Sequence, residues 1–468
     1  MRVLLVVHQF FPKYISGTEQ YVLALARAGR AAGDDVRVFT VDPDWNGADR
    51  PETVVRHEVD GVPVICHDFP KRPVRNHVLA DWWNPAVGAS FRTVLDEFRP
   101  EVVHFFHLRF HGLDRLDDVA ARGIPTVVHL MDFWWLCPSF TLLRQEPVLD
   151  GGGTRVGTRQ VQCDGPPDGG YGCFDCVHTV MAPWAREPWA RGRHAERRAA
   201  AEFPADDESG EQAGFAMTER PRRLRAALEQ VPRILAPSRT VAAAFARAGY
   251  ALPQLEVVPY AIDWRLLEGL AAPPAAGLHV GFMGTFAPHK GLAVLLEALR
   301  GLPDREVTLH CFGRFGDFPD YDRQLRDLAA GESRIEFHGP FRRAELAGVL
   351  SRLHALVVPS LWRENTPFVV LEGRAAGLEL VVSDLDGMTE CVPPGRGRAF
   401  AVGDPAALRA ALSATLAELR ARGGKRLPLD RSIPDIAAQW TQFRERYDGL
   451  AGQRRDSSSS SSPSLPTA

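Results

Sequence analysis

The sequence predicts an α/β protein built of two Rossmann-like, doubly wound parallel-sheet domains. Three observations predict it. The chain has 468 residues, too many for one hydrophobic core and enough for two domains of about 200 residues each. Short apolar runs of strand length alternate along it with helical stretches. Residues 355–382 also spell out a complete strand–helix–strand unit of a parallel sheet, whose ligands bind where the strands end.

Composition narrows the class. A formal net charge of −3 removes nucleic acid as a default partner. No apolar run approaches the roughly 20 residues needed to span a bilayer. The opening stretch MRVLLVVHQFFP is too short in its apolar part for a signal peptide and lacks a small-residue cleavage site. A cytoplasmic protein with reduced thiols is expected.

In the first domain, strands are expected at 2–8, 36–40, 62–66, 102–106, 126–130 and 233–237. A helix from residue 18 to about 31 follows the first strand, and Gly17 before it lets backbone approach a ligand closely. The segment VVHFFHLRFHG brings His104, His107 and His111 to a strand end. With no carboxylate beside them they read as polar groups lining a cleft rather than as metal ligands.

Four of the seven cysteines, Cys137, Cys163, Cys173 and Cys176, fall within an insertion at 131–180. A C-x-x-C pair with two further thiols suits a structural, tetrahedral Zn²⁺, which would order a Gly-rich stretch unable to hold a core alone. Unliganded thiols and an iron–sulfur cluster are the other readings, and disulfides would be the reading for a secreted chain. Residues 182–232 form an Arg-rich helical insertion. Trp184 and Trp189 stand there among Arg186, Arg191, Arg193, Arg197 and Arg198. Peripheral contact with an anionic membrane surface is one reading, and a solvated helix with ordinary Trp packing is the other.

The second domain begins beyond a hinge at 273–277. A strand ends at Gly284, Thr285 follows, and Gly291 starts a helix whose positive end welcomes an anion, with Lys290 placed to meet a diphosphate. Arg314 lies in a second strand-end loop. The strand–helix–strand unit then closes the pattern. Thr366 is the expected N-cap and Pro367 the first turn, Phe368, Leu371 and Ala375 recur at helical spacing, and Gly377 is the stop. Glu364 lies just before this helix and Glu372 within it. A carboxylate accepts sugar hydroxyls well, so an anion site flanked by two of them describes a nucleotide-sugar pocket. The alternative gives Glu364 to the helix dipole and Glu372 to a surface ion pair. Helices are expected at 405–420 and 433–447.

Glu364 and Glu372, the small-residue helix, and Ser383, Asp384, Gly387 and Glu390 together resemble the donor-site signature of retaining nucleotide-sugar glycosyltransferases of the family-4 type, which have the GT-B fold. Ser16, Gly17, Thr18 and Glu19 match that family's Gly-Gly-x-Glu loop except at Ser16. HLMDFWWLCP is similar to its TLHDFWFLCP segment, with Met131 where the family has a sugar-contacting histidine; Asp132 or His129 would supply that contact. Lys290 matches the family's loop lysine, whereas Thr285 replaces its arginine, and residues 335–341, IEFHGPF, resemble its base-side loop.

The resemblance implies two domains facing one another across a cleft. They would be an acceptor-side domain over 1–268 and a donor domain over 269–430. A helix at 431–449 would cross back to the first domain, and a disordered tail would occupy 450–468. It implies transfer of a hexose-type sugar from a nucleoside-diphosphate sugar to a hydroxyl of a glycan or lipid-linked acceptor, in surface polysaccharide or glycolipid synthesis. Catalysis would fall to Glu364, Lys290 and Asp132. Donor contacts would come from Gly17, Gly284, Thr285, Lys290, Arg314, Glu364, Asn365, Thr366, Pro367 and Glu372, and an acceptor contact from His107. No catalytic metal is expected, although the Asp384-Leu385-Asp386 triplet imitates a Mg²⁺-binding Asp-x-Asp. Hydrolysis or epimerisation of the nucleotide sugar on the same fold is a second reading, and an inactive sugar-binding scaffold a third.

Overall fold

The computed structural model describes residues 1–43, 51–69, 73–149, 155–176 and 188–459. It divides into two compact units. The first comprises Met1–Pro237, Ala242–Val258 and Ile436–Ala468, and the second Ser238–Val241 and Pro259–Asp435.

The first unit holds β1 (Arg2–Val7), β2 (Asp35–Asp42), β3 (Thr53–Val59), β4 (Val62–Asp68), β5 (Val102–Phe105), β6 (Thr126–His129), β7 (Leu143–Leu149), β8 (Arg155–Gln162), β9 (Arg233–Ala236) and β10 (Leu255–Val257). Eight of them make one sheet in the order β10-β9-β6-β5-β1-β2-β4-β3. All neighbours are parallel except β3 and β4, which form an antiparallel hairpin. The central strands bury every residue from Val3 to Val7 and from Val102 to Phe105, as expected for strands covered on both faces.

β3 is not among the strands expected from the sequence, because its residues are mostly exposed and carry no apolar alternation. The signal that would have found it is the Asp60-Gly61 turn, where both residues have positive φ (49° and 79°), as a two-residue hairpin demands. β7 and β8 pair separately as a two-stranded antiparallel sheet within the cysteine-bearing segment.

The helix Gly17–Ala31 packs against the C-terminal helix Ile436–Ser459. Gly29 permits the approach, since a Cβ there would lie 2.5 Å from the Trp440 ring, and the Trp440 indole donates to Asp34 at 2.9 Å. This last helix continues through Ser459, into the segment expected to be unstructured from residue 450. The units divide at Val258 and again at Asp435, not at 268 and 430. Residues just after Val258 are tied to the second unit by the Ile262–Asp435 bridge and by Trp264, whose indole donates to the Ile433 carbonyl at 3.2 Å.

The second unit contains β11 (Leu278–Met283), β12 (Val307–Phe312), β13 (Ile335–Phe337), β14 (Ala355–Val358), β15 (Glu379–Ser383) and β16 (Gly397–Phe400). They form one parallel sheet in the order β13-β12-β11-β14-β15-β16. The order reverses beside β11, so the loops after β11 and β14 emerge at the switch point where such sheets bind ligands. Helices Leu292–Arg300 and Pro405–Ala421 cover one face with Leu292, Leu295, Leu296, Leu408, Leu412 and Leu416, all at most 1% exposed.

Candidate functional site

In the second unit, β14 ends at Val358 and the chain turns through Pro359–Ser360 toward Glu364. A single oxygen of Glu364, Oε1, accepts three hydrogen bonds: from Lys290 Nζ at 2.7 Å, Ser360 Oγ at 2.8 Å and Trp362 Nε1 at 2.8 Å. The carboxylate is buried, and Lys290 also lies 4.8 Å from the centre of the Trp362 ring. None of these three bonds uses Oε2.

Two glycines shape this corner. Gly291 has φ +72°, and a Cβ there would fall 1.9 Å from the Pro359 carbonyl oxygen. Leu361 N–H donates to the His289 carbonyl at 2.8 Å, so the loop bearing Lys290 lies directly on the loop bearing Glu364. A Cβ at Gly387 would come within 1.7 Å of the Glu364 carbonyl oxygen. The glycine of the S-D-x-x-G turn is therefore the floor under Glu364. His289, T-shaped against Trp362, is held near pKa 4 by burial and then by Lys290, so it is neutral beside the pair.

Glu372, also buried, accepts from the Arg343 guanidinium at 2.5 Å. Arg343 was missed in the sequence because its 29-residue separation from Glu372 leaves no local spacing to read. The surface ion pair considered for Glu372 becomes a buried carboxylate with a half-buried cation.

The helix that follows Glu364 starts at Phe368. Pro367 holds the N-cap position in place of Thr366, whose hydroxyl donates back to the Asn365 carbonyl at 2.6 Å. Asn365 Oδ1 accepts from Thr366 N–H at 2.5 Å, and Tyr260 stacks on Phe368 at 4.7 Å. Gly284 and Thr285 are exposed after β11. Arg314 is spent locally in a two-bond pair with Asp317 at 2.9 and 3.0 Å.

In the first unit, Gly17 opens its helix and Ser16 donates to the buried Glu19, whose pKa burial raises. Of the three histidines, only His107 has a site-like setting. Its Nδ1 accepts from Arg109 N–H at 3.1 Å, which leaves Nε2–H to donate to Asp132 Oδ2 at 3.1 Å. Asp132 Oδ1 accepts from Trp134 N–H at 2.7 Å.

His104 and His111 are not cleft-lining groups. Both are fully buried, His104 against the Tyr447 hydroxyl at 2.7 Å and His111 donating to the Val7 carbonyl at 2.8 Å. Burial drops His111 to about 3, which keeps it neutral. His129 is buried too, stacked on His104 and Phe106, so it does not replace the histidine missing at Met131. Asp132 is one-quarter exposed.

Behind Asp132 lies a node that no motif announced. Asp81 accepts from Arg109 at 2.7 Å, and from the Trp134 indole and Arg220 at 3.0 Å each; Arg220 also donates to the Trp134 carbonyl at 2.6 Å. Burial opposes ionisation of Asp81, yet Arg220 and Arg109 hold its pKa below the usual value.

Arg220 belongs to the helix Gly210–Glu229 of the Arg-rich insertion. Other arginines there are paired within the unit: Arg198, Arg222 and Arg223 with the buried Glu219, and Arg193 and Arg197 with Glu211. Trp189 is 52% exposed, while Trp184 and Arg186 lie outside the described residues.

Cys137, Cys163, Cys173 and Cys176 line one small apolar-walled void of about 10 Å³, near the least volume that holds a water. All four are free thiols, and burial raises the pKa of Cys137 and Cys173. Among the described residues, the one trio of metal-type ligand atoms all within 4.8 Å of one another is elsewhere, so these sulfurs stand further apart than bound thiolates would.

Residues 277–418 match the family described as "Glycosyl transferases group 1", and residues 16–155 match the "Glycosyl transferase 4-like domain". The chain is 36% identical over 152 residues to a phosphatidyl-myo-inositol mannosyltransferase of Mycobacterium leprae. That alignment covers 31% of this chain and 39% of the relative. It is 34% identical over 168 residues to the enzyme of the same name from Mycolicibacterium smegmatis, covering 35% and 41%. The chain thus spans about two fifths of the length of these curated relatives. Among solved structures it resembles sucrose-phosphate synthase from Thermosynechococcus elongatus, with a TM-score of 0.58, 17% identity, and 98% and 100% of the two chains covered. It also resembles an Anabaena protein solved with UDP-glucose, with a TM-score of 0.54, 14% identity and the same coverage.

Proposed function

The chain belongs to the group 1 glycosyltransferases of the family-4 type, with the GT-B fold, and we propose that it moves a hexose-type sugar from a nucleoside diphosphate to an acceptor hydroxyl with retention at the anomeric carbon. The observation that carries this reading is the convergence of Lys290, Ser360 and Trp362 on one oxygen of Glu364, at the end of β14.

Without donor, Lys290 neutralises Glu364 and removes most of the cost of burying a lone carboxylate. A diphosphate competes for Lys290 as a point charge, and Glu364 then turns its acceptor capacity to the sugar hydroxyls. Glu372, steadied by Arg343, accepts from the ribose hydroxyls. Gly284, Thr285 and Asn365–Pro367 supply backbone around the donor. Arg314 joins only by leaving Asp317. As the bond from the anomeric carbon to the diphosphate breaks, the departing phosphate oxygen takes the acceptor hydroxyl's proton and the new glycosidic bond forms on the same face. Catalysis is electrostatic, from Lys290 and backbone N–H groups. Asp132 and His107 serve the acceptor side.

The named relatives act on phosphatidyl-myo-inositol, which supports a glycan or lipid-linked acceptor and work at the cytoplasmic membrane surface. Trp189 and the half-exposed Arg193 would make the peripheral contact. Binding to a panel of nucleoside-diphosphate hexoses, followed by NMR of the product anomer, tests the reading. Failure to bind any of them, or an inverted product, would overturn it.

The four cysteines serve folding in this proposal: drawn from their present spacing to about 3.8 Å, the separation set by Zn–S bonds of 2.3 Å, they would hold one structural Zn²⁺. One zinc per chain in protein purified without added metal is the expected result. Metal-free, stably folded protein with all four thiols reactive would refute it.

A further inference from the structure

On the sheet face of the second unit opposite the helix-covered core, three donors from the edge strands converge. His310 of β12 and Glu336 of β13 are in direct register, and His338 lies two residues beyond Glu336, so all three project to the same side. His310 Nδ1 is 2.8 Å from His338 Nε2, and Glu336 Oε2 is 3.2 Å from the first and 3.3 Å from the second. The glycosyltransferase reading takes 335–341 as a base-side loop but gives these three side chains no part.

Hydrogen-bond directions fix the tautomers of the cluster. His279 Nε2 contacts the Ala276 carbonyl at 3.0 Å, so that nitrogen carries the hydrogen and His279 Nδ1 is an acceptor. His310 Nε2 contacts His279 Nδ1 at 2.8 Å and must donate to it. A neutral His310 therefore presents a bare Nδ1 to the carboxylate of Glu336. That Nδ1 also lies 2.8 Å from His338 Nε2, whose hydrogen it can accept, and His338 Nε2 lies 3.3 Å from Glu336 Oε2, so one hydrogen occupies the point on which all three atoms converge and a metal ion would replace it.

We propose that His310 Nδ1, His338 Nε2 and Glu336 Oε2 form a binding site for a borderline divalent transition-metal ion such as Zn²⁺, with a fourth position open to water. Two imidazoles and one carboxylate are a recognised zinc donor set. Bonds of 2.0–2.1 Å in tetrahedral geometry separate ligand atoms by about 3.3 Å. Two of the three observed separations already match, and the histidine nitrogens need to part by only about half an ångström. The outer hydrogen bonds are also those a ligating histidine needs: His310 donates its other N–H to His279, which donates to a backbone carbonyl, fixing both tautomers.

The bound ion would clamp the three-residue edge strand β13 to β12. It would do so just before Gly339–Phe341, a turn already anchored by His338 N–H on the Cys311 carbonyl at 2.9 Å and by the Phe312–Phe341 contact.

Cobalt(II) titration of the full-length, chelator-treated protein tests the site, because cobalt on imidazole and carboxylate gives visible ligand-field bands without the thiolate charge-transfer absorption of a cysteine site. The expected result is one equivalent with the nitrogen–oxygen spectrum, displaced by Zn²⁺ and separate from any thiolate-ligated equivalent at the four cysteines. Affinity should fall at least tenfold in His338→Ala and Glu336→Gln, whose side chains reach the surface and leave the core intact. His279→Ala, a positioning change, should weaken binding about 10–100-fold while keeping the spectrum. Equal binding by wild type and His338→Ala, or a spectrum showing thiolate ligation alone, would overturn the proposal.

Discussion

Replacing Glu364 by Gln is the sharpest probe of the candidate site. Gln keeps an acceptor oxygen for Ser360 and Trp362 but removes the charge that holds Lys290 at 2.7 Å. A hydrogen bond to a charged group contributes about 1.5–3 kcal/mol. Lys290 is 27% exposed, so water recovers part of that and the stability loss should be about 1–2 kcal/mol. Turnover should fall much further. A lost charged contact to the reacting sugar, with Lys290 no longer positioned for the diphosphate, corresponds to the removal of one preorganised electrostatic group, about 10²–10³-fold in kcat.

The assay is nucleotide release in the presence of acceptor, run alongside thermal unfolding, for Glu364→Gln, Lys290→Met and the double variant. Because the two side chains touch, their effects should fail to add by about 0.5–3 kcal/mol. If Glu364→Gln keeps kcat/KM within a few-fold of wild type while Tm falls, the cluster is a structural ion pair and the mechanism above is wrong.

Other outcomes follow from single contacts. Gly387→Ala forces a Cβ against the Glu364 carbonyl oxygen; it should cost about 1–3 kcal/mol and weaken donor binding at least tenfold, as read by calorimetry. Asp132→Asn should lower turnover about tenfold or more while changing stability by less than about 1 kcal/mol, because the Nε2–H of His107 keeps an acceptor, though no longer a charged one. Asp430 resists burial through Ser432 and Arg374, which bring its pKa down to about 2. Its folded pKa lies below its unfolded one, so its stabilisation is complete above about pH 4 and is lost as pH falls toward 2. In Asp430→Asn that part of the Tm-against-pH curve should flatten.

The strand–helix–strand unit was readable because its information is local. An apolar run, a Pro–Ser stop, helical spacing and a terminating Gly377 each act within a few residues, and strands buried on both faces have to be apolar throughout. The N-cap expected at Thr366 lies one residue on, at Pro367, because a threonine hydroxyl can cap forward or bond backward, and here it bonds the Asn365 carbonyl. His104 and His111 misled for a related reason. Histidine is equally at home lining a cleft and buried neutral in a core, and nothing adjacent in sequence distinguishes the two.

What the sequence determined by itself was the class of fold, the two-unit division in outline, and the identities of Glu364, Glu372 and Lys290 as the residues to watch, because periodicity and motif spacing are properties of the chain. Tertiary structure alone decided who faces whom. Lys290 meets Glu364 across 74 residues, Arg343 meets Glu372 across 29, and Arg220 reaches Asp81 across 139. Those pairings depend on which strands lie side by side in a parallel sheet. That order is set by burying the whole core at once, so no window of neighbouring residues contains it.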